Sequence, residues 1–369
     1  MKNDEYVSRR GFIRTAAIGA GALTLSTWLP AYAQTKPGKK LGIALVGLGG
    51  YSSGQLAPAL QQAQHCYLAG IVTGTPAKAT EWAQKYNILQ KNIYNYQNFD
   101  SIKNNPDIDI VYVVLPVSMH KEYTIRAAQA GKHVICEKPM ALNVADCQEM
   151  INACKKANRM LSIGYRLHFD PYHQEVMRLG QKQVLGALTA FEAANGFKWG
   201  NGNFDAWRLK KAMAGGGGLM DMGVYTIQAA RYTTGKEPIA VTARQEKLRP
   251  DVFKEVDETV YFELEFPGGL KAKCQSSYNN NWSSLKATTQ KGSFGLDPGF
   301  PYNGIKGQST LSPISYPPMN QQAAQMDDFA QCVNSGKATR VPGEEGLKDM
   351  KVVEAIYRSL ANGGKRELV

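Results

Sequence analysis

The stretch VGLGGYSSG, residues 46–54, follows a short apolar run and precedes an amphipathic one. A dinucleotide-binding turn requires a strand ahead of it, glycines within it and a helix behind it. Gly47 permits the tight turn, and Gly49 lets the backbone approach a pyrophosphate. Ser52 stands where the third small residue of the G-x-G-x-x-G/A pattern belongs, with Gly50 and Tyr51 completing the loop. The helix that follows offers free N–H groups and the positive end of its dipole to an anion. Taken alone, the glycines also suit an ordinary strand-to-helix turn, so the reading rests on the flanking elements.

Those elements agree. LGIALVG (41–47), CYLAGIVT (66–73), IDIVYVVLP (108–116), HVICEKP (133–139) and MLSIGY (160–165) read as continuous apolar strands. Helical patterns fill 53–64, 76–87, 119–131 and 143–157. Strands apolar on both faces and joined by helices predict a parallel, doubly wound sheet. Beyond residue 165 the period changes. In ETVYFELEF (258–266), Val260, Phe262, Leu264 and Phe266 share one face, while Thr259, Tyr261, Glu263 and Glu265 share the other. That alternation predicts a half-exposed antiparallel strand. PGG (267–269) turns it into 270–278, further strands are expected within 185–195, 238–248 and 284–296, and helical patterns return at 318–335 and 343–361. The fold class is therefore α/β. A Rossmann domain spans 41–165, and an α+β domain with an open, mostly antiparallel sheet spans 166–369, its C-terminal helices free to pack back on the first domain.

The end of the second strand selects the nucleotide. NAD sites usually carry Asp or Glu there for the ribose 2′-hydroxyl. Here the segment VTGTPAK presents Thr73, Gly74, Thr75 and then Lys78. No carboxylate repels a 2′-phosphate, two hydroxyls can donate to it and Lys78 can neutralise it, so NADP is expected.

Four of the 43 basic and two of the 31 acidic residues fall in 1–33, leaving a formal net charge of +10 on the rest. No basic block is interleaved with aromatics, so nucleic acid is not an expected partner. The six cysteines show no CxxC or Cys/His ligand spacing, and no metal site is expected. Cys136 lies in an apolar strand, and mostly free, buried thiols are expected, although an exported chain with an even count could pair them.

Three separated segments, AGKHVICEKP (130–139), YRLHFDP (165–171) and WRLKKAMAGGGGLMDMGVY (207–225), together resemble the glucose-fructose oxidoreductase and inositol dehydrogenase family, from about Leu41 to the C-terminus. In that family Glu137-Lys138-Pro139 would close the nucleotide domain, and a cis peptide before Pro139 would be in keeping. Oxidising a sugar C–OH removes the hydroxyl proton while hydride leaves the carbon, so a base must touch the oxygen. Asp221 and Tyr225 stand at i and i+4 after the glycine run 215–218 and share a helix face. An unperturbed tyrosine titrates near ~10, so a catalytic Tyr225 needs a cation close by, and Lys138 is the evident one. Asp221 would bond substrate hydroxyls and position Lys138. Tyr225, where the inositol dehydrogenase branch carries histidine, places the chain with the glucose-fructose branch.

The resemblance further assigns Leu115, Pro116 and His120 to a loop over the ribose and nicotinamide. Glu137, Arg166, His168, Trp207 and Arg208 fall to the nicotinamide, the substrate and the cofactor phosphates, with Arg166 and His168 also counted at the substrate. His120 reads equally as a helix-start residue and His168 as a structural histidine. Loops around 195–205 and 278–305 would hold the sugar specificity.

Ser8-Arg9-Arg10-Gly11-Phe12-Ile13-Arg14 resembles the twin-arginine export motif, and the uncharged run after it ends in Ala31-Tyr32-Ala33, a small-x-small cleavage pattern. A signal cleaved near Ala33, a leader at 34–40 and a periplasmic enzyme exported folded by the twin-arginine machinery are expected. An exported dehydrogenase has no free nucleotide to draw on. The resemblance therefore implies tightly bound NADP that oxidises one aldose to its lactone and reduces a second sugar. A dehydrogenase with dissociable NADP and a nicotinamide-dependent glycosidase are the alternatives. The open sheet face, with Thr259 and Tyr261, predicts a homodimer or higher homo-oligomer.

Overall fold

The computed structural model describes residues 39–200 and 205–369. The expected export signal and residues 34–38 of the leader lie outside them. Six parallel strands, β1 (Leu41–Val46), β2 (Cys66–Val72), β3 (Ile93–Tyr94), β4 (Ile110–Val113), β5 (His133–Cys136) and β6 (Leu161–Ile163), form the first sheet. Their order is β3-β2-β1-β4-β5-β6. After β1 the chain winds one way to β2 and β3, then returns to the other side of β1 at β4. The loops after β1 and β4 therefore diverge and leave a crevice at the strands' carboxyl ends.

Behind the glycine turn a π-turn, Ser52–Leu56, runs into α1 (Ala57–Leu60). Helices α2 (Pro76–Tyr86), α3 (His120–Gln129) and α4 (Val144–Lys156) make the other crossovers. Every residue of β1 and β4 is buried, as two covered faces demand. The strands are shorter than their apolar runs because the last residues of each run, among them Gly47, Leu115, Pro116 and Glu137, leave the sheet and turn over the crevice. Strand β3 and the 3₁₀ turn Phe99–Asn104 were not predicted, since a two-residue strand is too short to display a period.

The second sheet has the order β13-β12-β11-β7-β10-β9-β8-β14. Its strands are β7 (Leu188–Gly196), β8 (Ala240–Glu246), β9 (Thr259–Glu265), β10 (Lys271–Ser277), β11 (Trp282–Thr289), β12 (Gly292–Leu296), β13 (Gly307–Ser309) and β14 (Glu367–Leu368). Only β7 and β10 pair in parallel; the other neighbours are antiparallel. Helices α5 (Pro171–Gln181), α6 (Lys211–Ala214), α7 (Val224–Thr234), α8 (Gln321–Ser335) and α9 (Gly343–Ala361) complete the chain. The unpredicted α5 has a readable start: Asp170 accepts the Tyr172 N–H at 2.9 Å, and Pro171 occupies the first helical position.

The predicted alternation in β9 holds at Val260, Phe262 and Leu264, which are buried, and at half-exposed Tyr261. Thr259 departs from it. It is buried against its cross-strand partner Ser277 on β10, the two hydroxyls 2.7 Å apart.

Helix α8 crosses back to the first sheet, where Met326 and Phe329 join the cluster of Ile43, Leu45 and Tyr112. Burying one such side chain is worth about 1.5–3 kcal/mol. Asp327 of α8 also accepts the Gln64 and His65 main-chain N–H groups at 2.9 and 2.7 Å. All six cysteines are free and buried.

Candidate active site

A cavity of about 1040 Å³ opens at the crevice and extends to the second sheet. This is at the upper end of the ~300–1,000 Å³ typical of ligand sites, room for a dinucleotide and a small second molecule. The glycine turn and Thr73 to Lys78 border one end, and Lys138, Asp221 and Tyr225 border the other.

At the first end the wall is main chain. Gly47 has φ +96°, and a Cβ there would lie 2.4 Å from the Val114 carbonyl, so only glycine fits. A Cβ on Gly49 or Gly50 would instead meet nothing within 4 Å. Those two residues border the cavity and leave the space a pyrophosphate would take, with N–H groups at the start of the π-turn available to it. The residues present therefore fit a dinucleotide. Ser52 is a correction to the expected binding set: it is fully buried, does not border the cavity and donates to the Gly47 carbonyl at 2.6 Å. It braces the turn. The Thr73 hydroxyl accepts the Thr75 N–H at 3.2 Å, and Lys78 Nζ reaches over to the Leu48 carbonyl at 3.2 Å. Gly74 lies so close to the Tyr96 ring that a Cβ would come within 3.0 Å of it.

His120 is the first residue of α3, as the alternative reading had it. It borders the cavity, but its ring nitrogens face the Leu115 and Pro139 carbonyls at 2.8 and 3.0 Å. Burial lowers its pKa. A neutral imidazole carries one N–H, so the ring donates to one of these two carbonyls; its nitrogens are turned to the protein while the ring borders the cavity. Pro116 and Leu115 do border the cavity. Glu137, buried beneath it, accepts the Tyr112 hydroxyl at 2.6 Å and the Lys138 N–H at 3.2 Å. Burial raises its pKa.

The second end is assembled from distant side chains. The Lys138–Pro139 peptide is cis. Lys138 Nζ donates to the Asp221 carboxylate at 3.0 Å and to the Asp221 main-chain carbonyl at 2.7 Å, and lies 4.5 Å from the centre of the Tyr225 ring. Burial alone would lower the Lys138 pKa, but Tyr225, Asp221 and Glu137 together hold it above the ordinary ammonium range. Burial likewise pushes Asp221 up, yet Lys138 and Arg208 outweigh it and hold the carboxyl down at about 2. Tyr278 donates to its second oxygen at 3.0 Å. Asp221 sits in a π-turn, Leu219–Gly223, and Tyr225 in the first turn of α7, so the two meet the same cavity across a widened turn.

Arg166 is buried and donates to the Phe300 carbonyl at 2.6 Å, the Pro301 carbonyl at 3.2 Å and the Gln321 side chain. Its guanidinium lies 4.4 Å from the centre of the Tyr302 ring and 5.4 Å from that of Tyr225. Its Nε is buried without a partner. Tyr302 in turn faces Tyr51 of the glycine turn, ring centres 6.1 Å apart.

One expectation fails here. His168 does not border the cavity. It donates from Nε2 to Gln228 Oε1 at 2.6 Å, beside a void of about 10 Å³ behind Tyr225, and burial lowers its pKa to about 4. It is a neutral structural histidine. Arg208 borders the cavity with Trp207, on which it stacks at 4.4 Å, but its Nε pairs with Asp221 at 3.3 Å. The guanidinium thus stands at the Asp221 end of the cavity. Asn195, Tyr278 and Tyr302 also border the cavity; they fall in the segments read as specificity loops, without having been singled out. Among the described residues no cluster of His, Cys, Asp or Glu could hold a metal.

The arrangement offers a phenol flanked by two cations and a carboxylate, beside a nucleotide-shaped cleft, which suits moving a proton while hydride moves nearby. Residues 41–165 match the "oxidoreductase family, NAD-binding Rossmann fold" of the GFO/IDH/MocA group, and residues 173–294 match its C-terminal domain. The structure of aldose-aldose oxidoreductase from Caulobacter crescentus, complexed with glycerol, is 42% identical, with a TM-score of 0.87 over 90% of this chain and 100% of that one. The NADP-dependent D-xylose 1-dehydrogenase of Haloarcula marismortui is 25% identical over 88% of this chain and 92% of its own. A second such enzyme, from Haloferax volcanii, is 26% identical over 88% and 98%.

Proposed function

The chain belongs to the GFO/IDH/MocA family of NAD(P)-dependent oxidoreductases, and from that premise we propose that it oxidises an aldose to its lactone and reduces a second sugar with the same retained NADP. The observation that carries this reading is the meeting, in one cavity, of the nucleotide-shaped glycine cleft and the Lys138–Asp221–Tyr225 set.

The glycine turn, Thr75 and Lys78 would hold the nucleotide, whose nicotinamide would supply a two-electron hydride acceptor for the sugar carbon. Tyr225 receives the proton from the sugar hydroxyl. Lys138, 4.5 Å from the Tyr225 ring centre, stabilises the phenolate that accepts it, and Asp221 holds Lys138 and bonds the neighbouring hydroxyls. Loss of the C–H bond as hydride and of the O–H proton to Tyr225 leaves the lactone. In the second half-reaction Tyr225 returns the proton to the oxygen of another sugar's carbonyl as its carbon receives hydride, giving the alditol. The residues end as they began.

The export motif supports retention of the nucleotide and a periplasmic site of action, because a compartment without free NADP requires a chain that leaves the cytosol already loaded. Spectroscopy of the freshly purified protein tests this. A nicotinamide absorbance that rises on adding an aldose and falls on adding a second sugar is the expected result. Protein that arrives empty and turns over only with added NADP would establish the second reading, a dehydrogenase with dissociable cofactor. The likeness to the two NADP-dependent D-xylose dehydrogenases supports what both readings share, oxidation of a sugar with NADP.

A further inference from the structure

Asp221 is held in place by a turn whose own beginning needs support. The segment Gly217 to Leu219 enters the π-turn, and its N–H groups have no partner within the turn. Asp257, two residues ahead of β9, takes all three. Its Oδ1 accepts the Gly217 N–H at 2.9 Å, its Oδ2 the Leu219 N–H at 2.7 Å, and its main-chain carbonyl the Gly218 N–H at 3.2 Å. Tyr357 of α9 donates to Oδ1 at 2.7 Å and so fixes the carboxylate. The fit is close on both sides: a Cβ on Gly216 would lie 1.8 Å from the Tyr357 hydroxyl oxygen, and one on Gly217 would lie 1.9 Å from the Asp257 carbonyl. Asp257 is 5% exposed, and neither it nor Tyr357 borders the cavity.

Lys138 binds residue 221 twice, through carboxylate and main chain, so any shift of the turn moves both of its partners together. We propose that Asp257, braced by Tyr357, is a positioning residue for proton transfer, acting on Lys138 only through the turn 217–219 and Asp221. The proposal rests on the reading that Lys138 and Asp221 serve the reaction.

Asp257→Asn keeps the size but opposes one N–H with another, and Tyr357→Phe removes only the brace. Measured per nucleotide-loaded chain, kcat should fall by roughly tenfold in the first and about threefold in the second, the scale of a charge-assisted and a neutral hydrogen bond. Nucleotide content and sugar KM should stay within about twofold. A double-mutant cycle with Asp221→Asn then decides the route: in that background, where Lys138 keeps only the main-chain carbonyl of residue 221, Asp257→Asn should lower kcat clearly less than its roughly tenfold effect in the parent. Additive losses, or Asp257→Asn and Tyr357→Phe both leaving kcat per loaded chain unchanged, would overturn the proposal. If Asp257→Asn does not fold, Tyr357→Phe in the same cycle carries the test. Full turnover in Asp221→Asn itself would refute instead the catalytic reading on which this rests.

Discussion

At the glycine turn the cavity wall is backbone drawn from one continuous stretch, whereas at the opposite end it is charge drawn from Lys138, Arg166, Arg208 and Asp221, up to 83 residues apart. The first end works by leaving side chains out; the second works by bringing them together. Backbone walls bind whatever presents phosphates, while converging side chains decide what happens to a proton. The two ends should therefore fail separately when altered.

Tyr225→Phe gives the largest expected effect. The ring stays and the proton acceptor goes, so kcat should drop roughly 10²–10⁴-fold, with bound nucleotide per chain unchanged. Nucleotide lost together with activity would break the separation. Gly47→Ala attacks the other end. A left-handed φ and a carbonyl 2.4 Å away predict a stability loss of about 1–3 kcal/mol and protein purified with little nucleotide, read by denaturant unfolding and absorbance.

Ser52→Ala sharpens the correction made at that position. Loss of its bond to the Gly47 carbonyl should cost about 1 kcal/mol of stability, with the cofactor still bound, because the hydroxyl braces the turn without facing the cavity. The smallest expected effect is the absence of one. Asp221, held down at about 2, contributes stability that is present above its unfolded pKa near ~3.9 and is lost as pH falls through about 2. Lys138, held above its ordinary range, contributes below ~10.5 and loses that contribution as pH rises beyond. The difference in melting temperature between the protein and Asp221→Asn should then be flat from about pH 5 to 9 and shrink only in stronger acid.

The backbone-built end was almost wholly legible in the sequence. Gly47, Gly49 and Lys78 lie within a few residues of β1 or β2, and local pattern determines where they point. At the charged end the family motifs led to Lys138, Asp221 and Tyr225, but not to what surrounds them. Tyr302 meets Arg166 across 136 positions, and Asp257 meets the turn at 217–219 across about 40, separations that no periodicity records. His168 misled because it stands two residues from Arg166 in one motif, yet the 3₁₀ turn Arg166–Phe169 leaves it hydrogen-bonded to Gln228 on α7. Thr259 misled for a simpler reason: alternation describes a strand's two faces and says nothing of the Ser277 hydroxyl that its first residue meets on β10.

Helix α8 sets a timetable. Gln321 bonds Arg166, Gln322 reaches the Tyr51 hydroxyl at 3.5 Å, and Gln325 donates to Tyr112, the partner of Glu137, at 2.9 Å. Helix α8, which meets the glycine turn across 271 positions, thus finishes a site whose first residues were synthesised long before. A chain stopped short of residue 321 would display every glycine of the turn and lack the bonds that seat Arg166, Tyr51 and Tyr112 around the cavity.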